Sequence, residues 1–216
     1  VTMSNIDSAI RITPATDLTA INYYLGVLLP ELPTFPYSFY HNFRIGKFTM
    51  CGDITLESAK HKHHFESKFY GWNFMIDRQQ TPEQIRRHFY HTVCFNLMKI
   101  YGYEEFDYTW SKLTHKVPEY VVNLLIEQEE HPEDHVDDKI NPKFKQGFLS
   151  ARCMIDPLLD KLEVFYMLVN QPDSVIYHED KIICEKANLL KDLIERFDPE
   201  GITVEWWRER GLTPKK

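Results

Sequence analysis

The chain has 216 residues, 43% hydrophobic and 26% charged, enough to bury one large core or two small ones. Its formal net charge of −7 argues against a general nucleic-acid binder, which needs a basic face to neutralise phosphate. Only 8 glycines work against folds built on glycine-rich phosphate loops, and no run approaches the about 20 apolar residues of a membrane span.

The 14 Phe, 12 Tyr and 4 Trp favour a dense core, a partner surface, or both. The segment VTMSNIDSAIR has no apolar signal region, and Cys51, Cys94, Cys153 and Cys184 form no CxxC pair. The expectation is a soluble cytoplasmic protein with reduced thiols, in host cytoplasm or particle-associated if viral.

Residues 9–13, AIRIT, alternate like a short strand that Pro14 ends. Thr16 or Asp17 supplies a helix N-cap, and Leu18, Ile21, Leu25 and Leu28 then share one helical face. Pro30, Pro33 and Pro36 break regular helix and predict a stiff, extended connector. From Phe39 to Met50 beta-favouring residues dominate, with a bend at Gly46 and a turn at Cys51-Gly52-Asp53. Residues 53–60 are open between strand and helix, and Phe65, Phe69 and the run to Ile76 continue the sheet.

Thr81-Pro82-Glu83-Gln84 is the clearest local signal, a capping box with proline at the first helical position. Ile85, Phe89, Val93, Leu97 and Ile100 repeat at helical spacing until Gly102, and residues 106–110 read as the next strand. Pro118 opens a helix that runs into seven carboxylates between Glu127 and Asp138. After Asn141-Pro142 the pattern becomes helix-rich, with one helix over 143–155 and another from Asp156-Pro157. The run Leu162 to Val169 is apolar all round and so expected to be deeply buried. A short strand over 174–177 precedes a last helix, roughly 180–197.

The fold class expected is therefore α+β, a mixed or antiparallel sheet flanked by helices over the first two-thirds, then a helix-rich C-terminal part. A soft boundary near Asn141 divides an α+β domain, 1–140, from a helical extension, 141–216.

Candidate chemistry is sparse. On a strand His61 and His63 would face one way and could reach one metal, with His41, Asp53 or Glu57 completing the set. Lys60 and Lys62 interleave with them, as on a solvated edge. Asp53 with Glu66 and Lys68 imitates divalent-metal nucleases, in which carboxylates hold the metal and a lysine polarises water; a hairpin with surface charges has the same sequence. The acidic run lacks the glycine and alternating spacing of a calcium loop. Trp206-Trp207 is either a hydrophobic latch or an exposed partner anchor; since adjacent residues cannot both point inward, one ring is expected partly exposed.

Residues 10–25, IRITPATDLTAINYYL, resemble the opening strand and helix of the GCN5-related N-acetyltransferase (acyl-CoA N-acyltransferase) family. Residues 91–112, HTVCFNLMKIYGYEEFDYTWSK, are similar to that family's third helix and fifth strand. The resemblance implies acetyl-CoA as cofactor and Tyr120 as general acid. The family holds the CoA pyrophosphate on backbone N–H groups at a glycine-rich helix start. Here that position reads DRQQTPEQIRRH, with no glycine between Gly71 and Gly102; Arg78, Arg86 and Arg87 are the cations left to attract phosphate. The functional expectation is a divergent acetyltransferase-like domain with altered or lost acyl-CoA catalysis. The alternative is a non-catalytic structural or interaction subunit of a viral or other assembly, which self-associates or binds a protein partner. A metal-dependent nuclease is a lesser alternative.

Overall fold

Helices dominate the computed structural model, which describes residues 10–11, 18–44, 47–52, 71–76, 80–101, 103–114, 147–154 and 157–213. The helices are α1 Leu18–Leu28, α2 Tyr37–Asn42, α3 Pro82–Tyr101, α4 Tyr103–Thr114, α5 Pro157–Asn170, α6 Pro172–Ile176, α7 Lys181–Phe197 and α8 Val204–Glu209. Two 3-10 segments, Leu29–Thr34 and Ala151–Met154, add to them. Among the described residues the paired strands are short: β1 Ile10–Arg11, β2 Lys47–Gly52 and β3 Gly71–Ile76. They form a parallel ladder in the order β1-β2-β3, with Lys47 opposite Gly71 and Gly52 opposite Ile76.

This corrects the α+β expectation. The longest helices run 20, 17 and 14 residues, against strands of 2, 6 and 6. Among the described residues the strands pair in parallel and the chain is mostly helical. The fifth strand of the acetyltransferase-like reading is helix α4, and the strand expected over 174–177 falls largely in helix α6. The acetyltransferase-like fold goes with them.

The cause is visible in side-chain spacing. Phe39 in helix α2 and Phe43 at its C-cap are four residues apart, as are Phe106 and Trp110, and four-residue spacing puts rings on one helical face. The Phe106 and Trp110 rings stack at 5.8 Å. β-propensity of aromatic residues reflects how they pack and yields when a helix buries them better. The proline-rich connector is also more regular than expected: residues 29–34 form a 3-10 turn that buries Leu32, because the φ of proline suits that geometry.

The chain divides into two compact units. The first comprises Val1–Asn96 with Phe197–Thr203. Its core is aromatic: Phe35 stacks on Phe39 at 4.4 Å, and Phe197 meets Phe39 at 5.0 Å and Phe43 at 4.3 Å. Each such pair contributes about 0.5–1.5 kcal/mol beyond burial. Ser38 Oγ donates to Asp198 Oδ2 at 2.6 Å, and Asn42 Nδ2 to the Phe197 carbonyl at 3.0 Å, fastening the returning segment. Helix α3 starts as its sequence predicts: Gln84 N donates to Thr81 Oγ1 at 3.3 Å, and Thr81 N to Gln84 Oε1 at 2.8 Å. Ile85, Phe89, Val93 and Leu97 are buried, but Ile100 is 54% exposed at the helix end.

The second unit comprises Leu97–Arg196 with Val204–Lys216. Helix α7 forms as its periodicity predicts, with Ile183, Leu190 and Ile194 inward, and helix α5 starts at the expected Pro157. Helix α5 also buries Asp160, Lys161 and Glu163, so its all-round burial is not purely apolar.

Candidate functional site

Within the second unit four segments converge on one buried lysine. Helix α7 carries Lys186 on the same stripe as Ile183 and Leu190, so its ammonium is delivered into the core. Helix α5 places Asp160 in its first turn, where the helix N-terminus favours a carboxylate. Lys186 Nζ donates to Asp160 Oδ2 at 2.6 Å, and both side chains have no solvent exposure. Trp110 on helix α4 donates its Nε1–H to the same Oδ2 at 2.9 Å.

The fourth segment is the turn before Ala151. The Gly147 carbonyl accepts a second bond from Lys186 Nζ, and the Phe148 ring lies 4.2 Å from that nitrogen, a cation–π contact. Asp180 ties this turn to the start of α7: Oδ1 caps the helix through Ile182 N at 2.8 Å, and Oδ2 accepts from Gly147 N. Gly147 has φ of 85°, and a Cβ there would meet Ile182 Cγ2 at 2.9 Å, so glycine suits the position on both counts.

The electrostatics follow from burial. Loss of water pushes the Asp160 carboxyl up, opposed chiefly by the Lys186 charge and then by hydrogen bonds from Lys186 and Trp110. The same loss pulls Lys186 down, opposed chiefly by Asp160, with Cys153 and Asp180 adding to that. Burial also raises the Cys153 thiol, although Ser150 Oγ lies 3.2 Å from its sulfur. Asp160 Oδ1 is buried with no hydrogen-bond partner. Among the described residues the neighbours of the ammonium are a carboxylate, a carbonyl and the rings of Phe148 and Trp110, and its side chain has no solvent exposure.

The structure places few of the residues singled out from sequence at a site. Tyr120, Glu66, Arg78, His61 and His63, with Asp53 and Lys68, lie outside the described residues. Arg86 Nε donates to Glu31 Oε1 at 2.9 Å, while Tyr90 OH donates to Glu31 Oε2 at 2.7 Å. Arg87 Nε reaches Glu83 Oε1 at 3.2 Å, one helical turn away. Both guanidinium groups thus face carboxylates beside a helix start already closed by Thr81 and Gln84.

Trp206 and Trp207 are both buried, at 7% and 2% exposure, which corrects the expectation of a partly exposed anchor. Side chains cover the rings: the Arg210 guanidinium lies 4.3 Å from the Trp206 ring, and Trp207 Nε1 donates to Glu195 Oε1 at 2.8 Å. Neighbours 100° apart on a helix can both be enclosed when long cationic side chains lie over them.

Sequence reasoning missed Asp160 and Lys186. The available signal was their position, each charged residue standing where the helical period calls for an apolar one. Among the described residues no group of three or more His, Cys, Asp and Glu is disposed to hold a metal, and no helix is long and apolar enough to cross a membrane. Comparison of the chain with models of known families, with curated proteins and with solved structures returns no match.

Proposed function

We propose that the chain is a non-catalytic structural or interaction protein that binds a protein surface, either its own copy or another chain. The observation that carries this reading is the enclosure of Lys186 and Asp160, whose composition suits catalysis but whose exposure is nil. A buried pair of this kind holds elements together and is poorly placed to meet a substrate. Large exposed aromatic side chains add support: Tyr37 is 57% and Tyr108 61% exposed, and tyrosine is enriched at interfaces. Free thiols at Cys153 and Cys184 favour a reducing compartment as the place of work.

The test is photo-crosslinking from positions 37 and 108 in the cells that express the protein, together with light scattering over a wide concentration range. A covalent protein adduct or a concentration-dependent mass is expected. A strict monomer that yields no adduct from either position overturns the reading.

A further inference from the structure

Three threonines in the chain precede proline: Thr13, Thr81 and Thr213. Only the last is followed by basic residues, in the run Thr213-Pro214-Lys215-Lys216; Thr81 is followed by Pro-Glu-Gln and Thr13 by Pro-Ala-Thr. Thr81 is also occupied as a helix cap, its Oγ1 accepting from Gln84 N. Thr213 is exposed, but it is clamped. Asp173, in helix α6, accepts from Thr213 N at 2.9 Å through Oδ1 and from Thr213 Oγ1 at 2.6 Å through Oδ2. Tyr177 OH donates to the Thr213 carbonyl at 2.7 Å. The approach to this point is set by the turn after helix α8, where Leu212 N donates to the Trp207 carbonyl at 3.0 Å and Gly211 takes φ of 92°.

We propose that Thr213 is a phosphorylation site for a proline-directed serine/threonine kinase that favours a basic residue three places on, and that the phosphate opens the Asp173 clamp. In the transfer, Thr213 Oγ1 attacks the γ-phosphorus of a nucleoside triphosphate. The new Oγ1–P bond forms as the bond to the β-phosphate oxygen breaks; the nucleoside diphosphate leaves, and the hydroxyl proton passes to the kinase's base. Two consequences follow at the clamp. The hydroxyl's single donor is gone, so Asp173 Oδ2 now faces an oxygen that can only accept. The phosphate also brings about −1.5 to −2 charge beside a carboxylate, which repels it. A contact that holds Thr213 becomes one that expels it. The remaining bonds, Thr213 N to Asp173 and Tyr177 OH to the Thr213 carbonyl, depend on the same placement and are lost with it.

The site is also legible to a kinase. A residue before proline is biased to extended backbone, and the lysines at the second and third positions supply the charge such an enzyme reads. The clamp does not seal Thr213 away, because the residue stays exposed with its partners in place.

The test uses the whole chain, ATP and a purified cyclin-dependent-type kinase, with the phosphate located by mass spectrometry. Phosphate is expected on Thr213, absent from Thr213→Val, reduced in Lys216→Ala, and not on Thr81. Amide exchange at Thr213 in the phosphorylated protein is expected to rise about tenfold, the loss of a bond to a charged acceptor. Absence of phosphate from Thr213 in both the wild type and Asp173→Asn, where the clamp is already loosened, overturns the site. Phosphate at Thr213 with unchanged amide exchange overturns the opening of the clamp.

Discussion

Replacing Lys186 by Met removes the ammonium but keeps the length of the side chain, leaving Asp160 buried without its counter-charge. Breaking a fully enclosed ion pair from one side costs about 3–5 kcal/mol, because the remaining charge has no solvent to return to. The Gly147 carbonyl loses a donor as well, and an unsatisfied buried acceptor accounts for about 1–3 kcal/mol of that total. Against a typical domain stability of about 5–15 kcal/mol this is a large fraction. Asp160→Asn is expected to cost somewhat less, because the amide oxygen can still accept from Trp110 and Lys186. The double variant Asp160→Leu/Lys186→Met removes both charges, so its cost is expected to fall below the sum of the Asp160→Leu and Lys186→Met losses by about 2 kcal/mol. Urea unfolding followed by tryptophan fluorescence reads this unit well, since Trp110, Trp206 and Trp207 all belong to it.

The pH dependence supplies the sharper test, and the two single variants should mirror each other. With Lys186 gone, the Asp160 carboxyl rises further above its ordinary 3.8. A carboxyl raised in the folded state contributes stability that is present below the unfolded value and lost as pH climbs through the folded one, so Lys186→Met is expected to recover as pH falls from neutrality toward 4. With Asp160 neutralised, Lys186 drops further below 10.5. A lysine depressed in the folded state contributes stability present above the unfolded value and lost as pH falls through the folded one. Asp160→Asn is therefore expected to recover as pH rises from neutrality toward 10. Parallel pH profiles for the two variants, or a Lys186→Met cost below about 1 kcal/mol, would refute the reasoning.

Thr81→Ala removes the cap of helix α3 and is expected to cost about 1 kcal/mol by urea unfolding, with Thr81→Ser close to wild type. Gly201→Ala places a Cβ 2.2 Å from Asp198 Oδ2 and 2.5 Å from both Pro36 Cγ and Ser38 Oγ; a melting curve should show a loss of about 1–3 kcal/mol, and none would mean the segment can shift. Trp207→Ala is expected to cost about 3–5 kcal/mol, whereas Tyr108→Ala stays within about 0.5 kcal/mol and weakens association instead. Equal destabilisation by the two would make Tyr108 part of the fold and remove it from the proposed surface.

How far the sequence was legible depended on how local the cause was. The start of helix α3 could be read because its cap lies within four consecutive residues, Thr81 to Gln84, and the bonds form among them. Helix α7 could be read because burial on one side repeats at a fixed period, and helix α5 from Pro157 at its start and the continuous apolar run after it. The segments around Phe39 and Phe106 could not be read from residue type. Aromatic residues are strand formers on average, and only the four-residue spacing of their rings reveals the helix. The tryptophan pair failed for a related reason: exposure was inferred from adjacency alone, while the cover over both rings comes from Arg210 and Lys191, which the pattern of apolar residues ignores.

Lys186 and Asp160 stand at the boundary of what a single chain discloses. Lys186 is three residues after Ile183 and four before Leu190, and Asp160 four before Val164, so position demands burial while identity demands charge. Each conflict alone reads as a tolerable flaw in an otherwise regular helix. Taken together they have opposite signs, and two buried charges of opposite sign stabilise each other only by contact. The sequence therefore contains the reason for the contact but not the topology that makes it, since two helices carrying residues 26 apart in the chain can meet in many ways. Sites where local rules fail are where function is usually sought. Here the failure on α7 is answered by the failure on α5, with Trp110 and Gly147 taking up bonds of the pair, so the break in pattern specifies how the helices join.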